Sequence, residues 1–136
     1  IKVINYSRSN KGGVRGGHFQ KNKPQGKLVS CLFGSVYDVV VDVNPNSDTF
    51  GKYIGIELSS ENHYQLWIPP GYAHGFYVLS DKADFYYKCT DYYDKEDECG
   101  IIWNDKDLCI KWPTNCPTIS RKDEMLPSLK SLKEIL

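Results

Sequence analysis

Several common signals are missing from this sequence, and each absence removes a class of function. The 17 basic residues balance 17 acidic ones, so no overall positive field attracts nucleic acid or an anionic membrane. There is no Walker-type phosphate loop and no G-x-G-x-x-G opening a helix. No basic stripe with interleaved aromatic residues is present, and no apolar run approaches bilayer length. We therefore expect neither nucleic acid nor membrane as a partner.

The cysteines also lack a pattern. Their number is five, which is odd, and no C-x-x-C pair occurs, so both a disulfide framework and a zinc site are disfavoured. They are typical of reduced thiols, mostly packing residues, in a cytoplasmic protein. The length fits one domain, which we predict to span residues 1–136.

What is present is typical of an all-β barrel or sandwich. Residues 27–43 have the alternation and β-branched content of two strands, and the break at Gly34-Ser35 predicts a hairpin. Further strands are predicted at residues 53–58, 64–68, 74–79, 84–89 and 109–112. After Pro127, leucine and isoleucine recur at helical spacing up to Leu136, which predicts a short C-terminal helix.

The densest chemistry lies in Arg-Gly-Gly-His-Phe-Gln, residues 15–20. Two glycines allow tight backbone geometry before His18, whose imidazole can exchange protons near neutral pH. The alternative is a structural histidine at a strand end. Lys27 on the following strand is expected to face the same cavity. A metal is disfavoured, because Gln20 stands where a second imidazole would be needed.

Three other positions are candidates for the site. His74 follows a rigid Pro-Pro-Gly turn and either binds a ligand phosphate or bridges strands. A tyrosine of the Asp-Tyr-Tyr-Asp segment, residues 91–94, can act as a general acid at a barrel mouth. Asp123 can orient an imidazole from elsewhere, although such a residue is more often a helix cap or a solvated charge.

A set of motifs spans nearly the whole chain in order. They are Ser7-Arg8-Ser9 with Gly12, Arg15-Gly16 with His18-Phe19-Gln20, residues 25–29, 39–42, Ser47 with Thr49-Phe50-Gly51, 65–69, 73–80, Tyr87-Lys88 through Tyr93, Trp103-Asn104-Asp105, Trp112-Pro113, and Ser120 with Lys122-Asp123. By these motifs the chain closely resembles the dTDP-4-dehydrorhamnose 3,5-epimerase family. The resemblance implies a double-stranded β-helix, or cupin, fold and a nucleotide-linked 4-keto sugar as substrate.

The resemblance also implies catalytic roles. His18 is similar to the family's general base, Asp123 to its dyad partner and Lys27 to the lysine near the 4-keto oxygen. Tyr93 resembles the acid on the opposite face of the sugar, with Tyr92 as the neighbour that could be confused with it. A ketone at carbon 4 delocalises the carbanion formed at carbon 3 or 5, so no cofactor and no metal are expected.

Substrate binding is implied for five further residues. Arg15 and His74 match positions associated with the diphosphate and the pocket wall, and Asn5, Gln20 and Lys122 belong to the same implied set. The family is also expected to form homodimers through additional N-terminal strands that exchange with a partner subunit, and this sequence begins after those strands.

Two departures accompany the resemblance. Gly17 replaces a bulky residue before the histidine, which predicts a looser pocket floor or an altered substrate pose, and Val3 stands where a glutamine often helps to recognise the nucleotide. Alternative functions are therefore a mono-epimerase acting on a related nucleotide 4-keto sugar and a non-catalytic sugar-nucleotide-binding cupin.

Overall fold

The protein is built mainly from β-strands. The computed structural model describes residues 1–136 and contains ten strands, one 3-10 turn and two short helices. They are β1 Val3–Asn10, β2 Gly13–Gln20, β3 Lys27–Phe33, β4 Ser35–Asp42, β5 Tyr53–Ser59, β6 Gln65–Ile68, β7 Tyr72–Val78, β8 Lys82–Cys89, the turn Lys95–Asp97, β9 Glu98–Gly100, β10 Thr118–Ile119, α1 Arg121–Glu124 and α2 Leu129–Ile135.

The strands form two sheets that face each other. The first has the order β1-β8-β3-β6, and the second has the order β10-β2-β7-β4-β5, with β9 also paired to β2. Apolar side chains from both sheets meet between them, among them Val29 and Phe85 from the first and Val36 and Val78 from the second. The prediction of an all-β fold with a short C-terminal helix is confirmed.

A second apolar cluster lies behind the second sheet. Val39 and Val41 of β4 point away from the space between the sheets and pack with Ile101, Leu129 and Leu132. Because one face of β4 meets the first core and the other face meets α2 and the C-terminal segment, β4 is apolar along most of its length. The C-terminal helix therefore closes the back of the sheet that carries His18.

The predicted hairpin at Gly34-Ser35 is wrong. β3 pairs with β6 and β8, whereas β4 pairs with β5 and β7, so the two strands belong to different sheets. Gly34 turns the chain from one sheet to the other with φ +74, and a Cβ there would lie 2.1 Å from the carbonyl oxygen of Lys82. Two adjacent apolar runs look the same in sequence whether they pair with each other or cross between sheets.

The predicted strand at residues 109–112 is also wrong. This segment has no regular secondary structure, and side chains supply two of its hydrogen bonds. The Tyr53 hydroxyl accepts from the Lys111 N–H at 3.0 Å, and the Trp112 indole N–H donates to the Trp103 carbonyl at 2.9 Å. Apolar and aromatic side chains that hold an irregular segment against the protein give the same sequence pattern as those of a strand.

Four strands were not predicted: β1, β2 and the short β9 and β10. The inward residues of the two long ones include Asn5, Ser7 and Ser9 on β1 and His18 on β2. Since the inner face is polar where it lines a cavity, the apolar alternation that reveals a strand is absent. No helix in the structure has both the length and the apolar character needed to cross a membrane.

Candidate active site

A cavity of about 930 Å³ opens between the two sheets. It brings together every residue for which the sequence predicted a site role. These are Asn5, Arg15, His18, Gln20, Lys27, His74, Tyr93, Lys122 and Asp123. They come from β1, β2, β3, β7, α1 and the segment after β8, so the cavity exists only when both sheets and α1 are in place.

His18 is fixed by a carboxylate from a distant part of the chain. Its Nε2 lies 2.7 Å from Asp123 Oδ1, and the Gly16 N–H donates to Asp123 Oδ2 at 3.2 Å. Ser120 caps α1 by accepting from the Asp123 N–H, which sets the position of the carboxylate. Burial alone would raise the pKa of Asp123, but the hydrogen bond and charge of His18 and the Gly16 N–H hold it below its ordinary value.

The two ring nitrogens of His18 have different environments. A carboxylate only accepts hydrogen bonds, so the hydrogen-bond network assigns the proton of the neutral ring to Nε2 and leaves a lone pair on Nδ1. Nδ1 is buried and makes no hydrogen bond, and the closest ionisable oxygen is Glu98 Oε1 at 3.8 Å. His18 is therefore arranged to accept a proton at Nδ1.

Glu98 is a cavity residue that sequence reasoning missed. It lies on β9 and forms an ion pair with Lys122, and its charge helps to raise the pKa of Tyr93; both of those side chains line the cavity. The hydrogen bond to Glu98 raises the pKa of Lys122. A three-residue strand carries too little periodicity to reveal which way Glu98 points, so the sequence held no signal for it.

Lys27 brings a cation to the opposite sheet of the cavity. Burial lowers the pKa of its ammonium group below the ordinary lysine value. The ammonium nitrogen lies 5.8 Å from the ring centroid of Tyr87, a neighbour on β8 that also lines the cavity. A partly desolvated cation in this position can stabilise negative charge on a bound oxygen.

His74 forms a second histidine–carboxylate pair, between β7 and β4. Its Nε2 lies 2.8 Å from Oδ2 of the fully buried Asp38, and burial raises the pKa of that carboxyl group. The His74 ring also stacks on Phe85 with centroids 5.7 Å apart. Of the two interpretations offered by the sequence, the bridging contact is observed, and the same ring forms part of the cavity wall.

Two tyrosines line the cavity. Tyr93 is 56% exposed at the mouth, and its pKa is raised by partial burial and by Glu98. Tyr87 lies deeper on β8, and burial raises its pKa. Tyr92 is 61% exposed and does not line the cavity, which separates it from Tyr93.

The polar residues predicted to bind substrate differ in whether the protein already occupies their hydrogen-bonding groups. Arg15 is exposed on β2 and has no carboxylate partner, so its guanidinium is available to an anion. Asn5 contacts the Cys89 sulfur at 3.9 Å. Gln20 is buried, and its amide is bound by the protein itself.

Gly17 does not line the cavity, contrary to the expectation of a looser pocket floor. It faces the second apolar cluster, and a Cβ there would lie 2.3 Å from the Ile101 carbonyl oxygen. Its φ of +75 belongs to a bulge between Gly16 and His18.

No group of three or more His, Cys, Asp or Glu side chains in the structure is arranged to hold a metal ion.

The profile of the dTDP-4-dehydrorhamnose 3,5-epimerase family matches residues 1–131. This chain belongs to that family. The epimerase of Escherichia coli K12 is 54% identical over 130 residues, which cover 94% of this chain and 70% of that protein. The chain spans 66% of the Shigella flexneri epimerase.

Solved structures of epimerases agree with this assignment. The dTDP-6-deoxy-D-glucose-3,5-epimerase of Legionella pneumophila, in complex with dTDP-4-keto-L-rhamnose, is 52% identical with a TM-score of 0.91, covering 94% of this chain and 69% of that one. ChmJ, a 3'-monoepimerase from Streptomyces bikiniensis solved as a double mutant with dTDP, is 29% identical with a TM-score of 0.94, covering 99% and 69%. The predicted family and the cupin fold are confirmed.

Proposed function

We propose that this chain is a cofactor-independent epimerase that inverts carbons 3 and 5 of dTDP-4-keto-6-deoxy-glucose to give dTDP-4-keto-L-rhamnose. The observation that carries the proposal is the 2.7 Å contact between His18 and Asp123, placed in one cavity with Lys27. The named activities of the E. coli and Legionella relatives support the choice of substrate.

The reaction begins with proton removal. His18 accepts the proton from carbon 3 or carbon 5 at Nδ1, while Asp123 keeps the other nitrogen protonated and stabilises the imidazolium that forms. A positioned base contributes roughly 10²–10⁴-fold in rate. The carbonyl at carbon 4 takes up the electron pair as an enolate, so the chemistry needs no redox or metal group.

Lys27 then stabilises the enolate oxygen. Because its ammonium group is largely withdrawn from water, a charge interaction there is stronger than at a surface, and one such donor is worth on the order of 3 kcal/mol. Arg15, which has no internal partner, is free to bind the diphosphate, with Asn5, His74 and Lys122 completing the binding wall.

The proton must return from the other face of the sugar. The resemblance assigns this acid to Tyr93, but Tyr93 lies near Glu98 and Lys122, and Glu98 is 3.8 Å from His18, so Tyr93 is on the side of the base. Tyr87 is on the opposite sheet beside Lys27, which suits an acid acting on the far face. Geometry thus favours Tyr87 as the acid, and we assign to Tyr93, at the cavity mouth, the orientation of the sugar against His18.

ChmJ adds support for Tyr87. In that 3'-monoepimerase the two residues substituted together are a histidine and a tyrosine, separated in sequence by nearly the same interval as His18 and Tyr87 here. The corresponding interval from His18 to Tyr93 is longer.

The test is to incubate the protein in deuterated water with dTDP-4-keto-6-deoxy-glucose and to follow deuterium at carbons 3 and 5 by NMR. We expect entry at both carbons, abolished by His18→Ala, with Tyr87→Phe blocking inversion more strongly than Tyr93→Phe. Entry at one carbon would replace the proposal with a mono-epimerase, the activity named for ChmJ. Tight dTDP binding without any entry would indicate a non-catalytic cupin.

We also propose that the chain works in the cytoplasm as a homodimer. All five cysteines are free thiols, in keeping with a reducing compartment. The outer face of the first sheet exposes five large apolar side chains, each at least half exposed: Ile4, Tyr6, Leu32, Phe33 and Trp67. Such a patch on one sheet face favours association, and we assign it to a second copy of the chain.

A further inference from the structure

We infer that Gln20 is a positioning residue for Tyr93: its side-chain amide holds the backbone on both sides of that tyrosine and has no free donor for substrate. This inference rests on the proposed function, because the importance of Tyr93 depends on the reaction carried out in the cavity. It gives Gln20 a role different from the substrate contact that the resemblance implied.

The amide of Gln20 is almost completely used within the chain. The side chain is 4% exposed. Its Nε2 donates to the carbonyls of Lys23 at 2.8 Å and Tyr92 at 3.2 Å, and its Oε1 accepts from the Asp94 N–H at 2.8 Å. An amide nitrogen has two N–H groups, so both donors are engaged.

These contacts lie on either side of Tyr93. Tyr92 offers its carbonyl and Asp94 its N–H to the same side chain, while residues 92–94 have no helix or strand of their own. In place of a backbone ladder, one buried glutamine fixes the segment. If Gln20 is lost, the N–H of Asp94 and the carbonyls of Lys23 and Tyr92 lose their protein partner, and the segment loses the contacts that hold it in place.

A second group stabilises the platform on which Gln20 acts. Asp97 accepts from the backbone N–H groups of Asn22 and Lys23 and from the Asn22 side chain, at 2.7–3.0 Å. Lys23, whose carbonyl receives the Gln20 donor, also forms an ion pair with Asp94 at 3.1 Å. The loop between β2 and β3 and the segment 92–97 therefore hold each other in place.

Tyr93 extends from this platform into the cavity. Tyr93 lies near Glu98, which binds Lys122 and lies 3.8 Å from His18 Nδ1. A shift of the segment would therefore move Tyr93 relative to the base. Displacements of about 1 Å can cost roughly 100-fold in rate, so a residue with no substrate contact can still control turnover.

The decisive experiment combines Gln20→Met with Tyr93→Phe. Methionine keeps the length of glutamine and loses both its donors and its acceptor. We expect Gln20→Met to lower kcat about tenfold or more in the wild-type background and to have little further effect in Tyr93→Phe, with the Kd for dTDP changed less than about twofold. A full additional loss in Tyr93→Phe, or a tenfold weaker dTDP complex, would overturn the inference.

The chain provides a matched control and a milder variant. The Asn62 amide also makes three hydrogen bonds that fix a loop, to Ser59, Glu57 and Tyr64, but it lies outside the cavity. Asn62→Leu should lower stability without changing the ratio of deuterium entry at carbons 3 and 5. Gln20→Glu keeps the acceptor for the Asp94 N–H, so its kcat should lie between those of the wild type and Gln20→Met.

A readout without substrate separates this inference from the proposed function. Absence of deuterium entry in the wild type defeats the epimerase proposal only. The ring signals of Tyr93, followed by NMR against pH, report its surroundings of Glu98, Lys122 and Asp94. We expect Gln20→Met to move the raised pKa of Tyr93 towards the ordinary tyrosine value, and an unchanged titration would contradict the positioning role.

Discussion

Asp123 determines which nitrogen of His18 can accept a proton. Its two oxygens have separate partners, since Oδ1 faces His18 Nε2 and Oδ2 accepts from the Gly16 N–H. The carboxylate therefore fixes both the orientation and the tautomer of the ring. At the scale of single residues, the geometry of the proposed base depends on this pair.

We expect Asp123→Asn to lower the rate of proton exchange by roughly 10²–10⁴-fold. The Gly16 N–H requires the amide oxygen, so the amide nitrogen of asparagine would face His18 Nε2 and donate to it. The ring would then carry its proton on Nδ1, where the lone pair is needed. Deuterium entry at carbon 3 measures the loss, with thermal unfolding as the check on folding. Near-normal exchange would contradict the assignment of Nδ1 as the base.

Gly17 provides a test of backbone strain beside the site. Its φ is +75 and a Cβ would lie 2.3 Å from the Ile101 carbonyl oxygen, whereas Gly12 has φ +85 with nothing within 4 Å of a Cβ. Gly12→Ala should cost about 1–2 kcal/mol in the free energy of unfolding, from backbone conformation alone. Gly17→Ala should cost clearly more, because the clash adds to it. Equal losses in chemical denaturation would show that the clash relaxes freely.

At the scale of elements, an ion pair joins β1 to β8 on the outer face of the first sheet. Asp84 accepts from Arg8 at 2.6 Å and 3.0 Å and from the Tyr6 hydroxyl. The hydrogen bonds from Arg8 and then Tyr6 lower the pKa of Asp84 from 3.8 to about 2. Since β1 is an edge strand held only by β8, this contact bears directly on its attachment.

The lowered pKa gives a stability prediction with a definite sign. The ionised form of Asp84 is favoured in the folded state, so its contribution is complete above pH 3.8 and is lost as the pH falls through about 2. We expect the free energy of unfolding to decrease over this interval and the decrease to be smaller in Asp84→Asn. Equilibrium denaturation at several pH values compares the two proteins. If the free energies of unfolding of the two proteins changed in parallel with pH, the ion pair would contribute nothing to stability.

At the scale of the whole molecule, the outer face of the first sheet is the surface that we propose for association. Ile4, Trp67 and Leu32 come from three different strands and share this face. Burying several large apolar side chains, each worth about 1.5–3 kcal/mol, favours such a dimer. Because that face points away from the cavity, the site stays open in a dimer of this kind.

We expect the wild-type chain to be a dimer in light scattering and Ile4→Lys with Trp67→Lys to be monomeric. The control is Ile54→Lys, which adds a charge at a 58% exposed isoleucine on β5, in the other sheet. That variant should remain dimeric. A monomeric wild type at micromolar concentration, or equal weakening by Ile54→Lys, would refute the proposed interface.

Some features of this protein follow from the sequence alone. The runs that became β3, β4, β5, β7 and β8 are apolar or β-branched at most inward positions, so their strand character is local. Leucines at helical spacing predict α2, because Leu129 and Leu132 fall on one helix face and are buried. The motif around His18 correctly predicted a site, because its glycines and imidazole are contiguous in the chain.

Only the tertiary structure decided how these pieces combine. Whether β3 and β4 pair or separate depends on β8 and β7, which lie far along the chain, and polar strands such as β1 are recognisable only beside a partner. His18 and Asp123 are 105 positions apart, and Glu98 and Tyr87 point into the cavity because of their strand registers. Sequence patterns record local preference and burial, whereas the pairing of distant strands sets which side chains meet, and the chemistry of this site depends on that meeting.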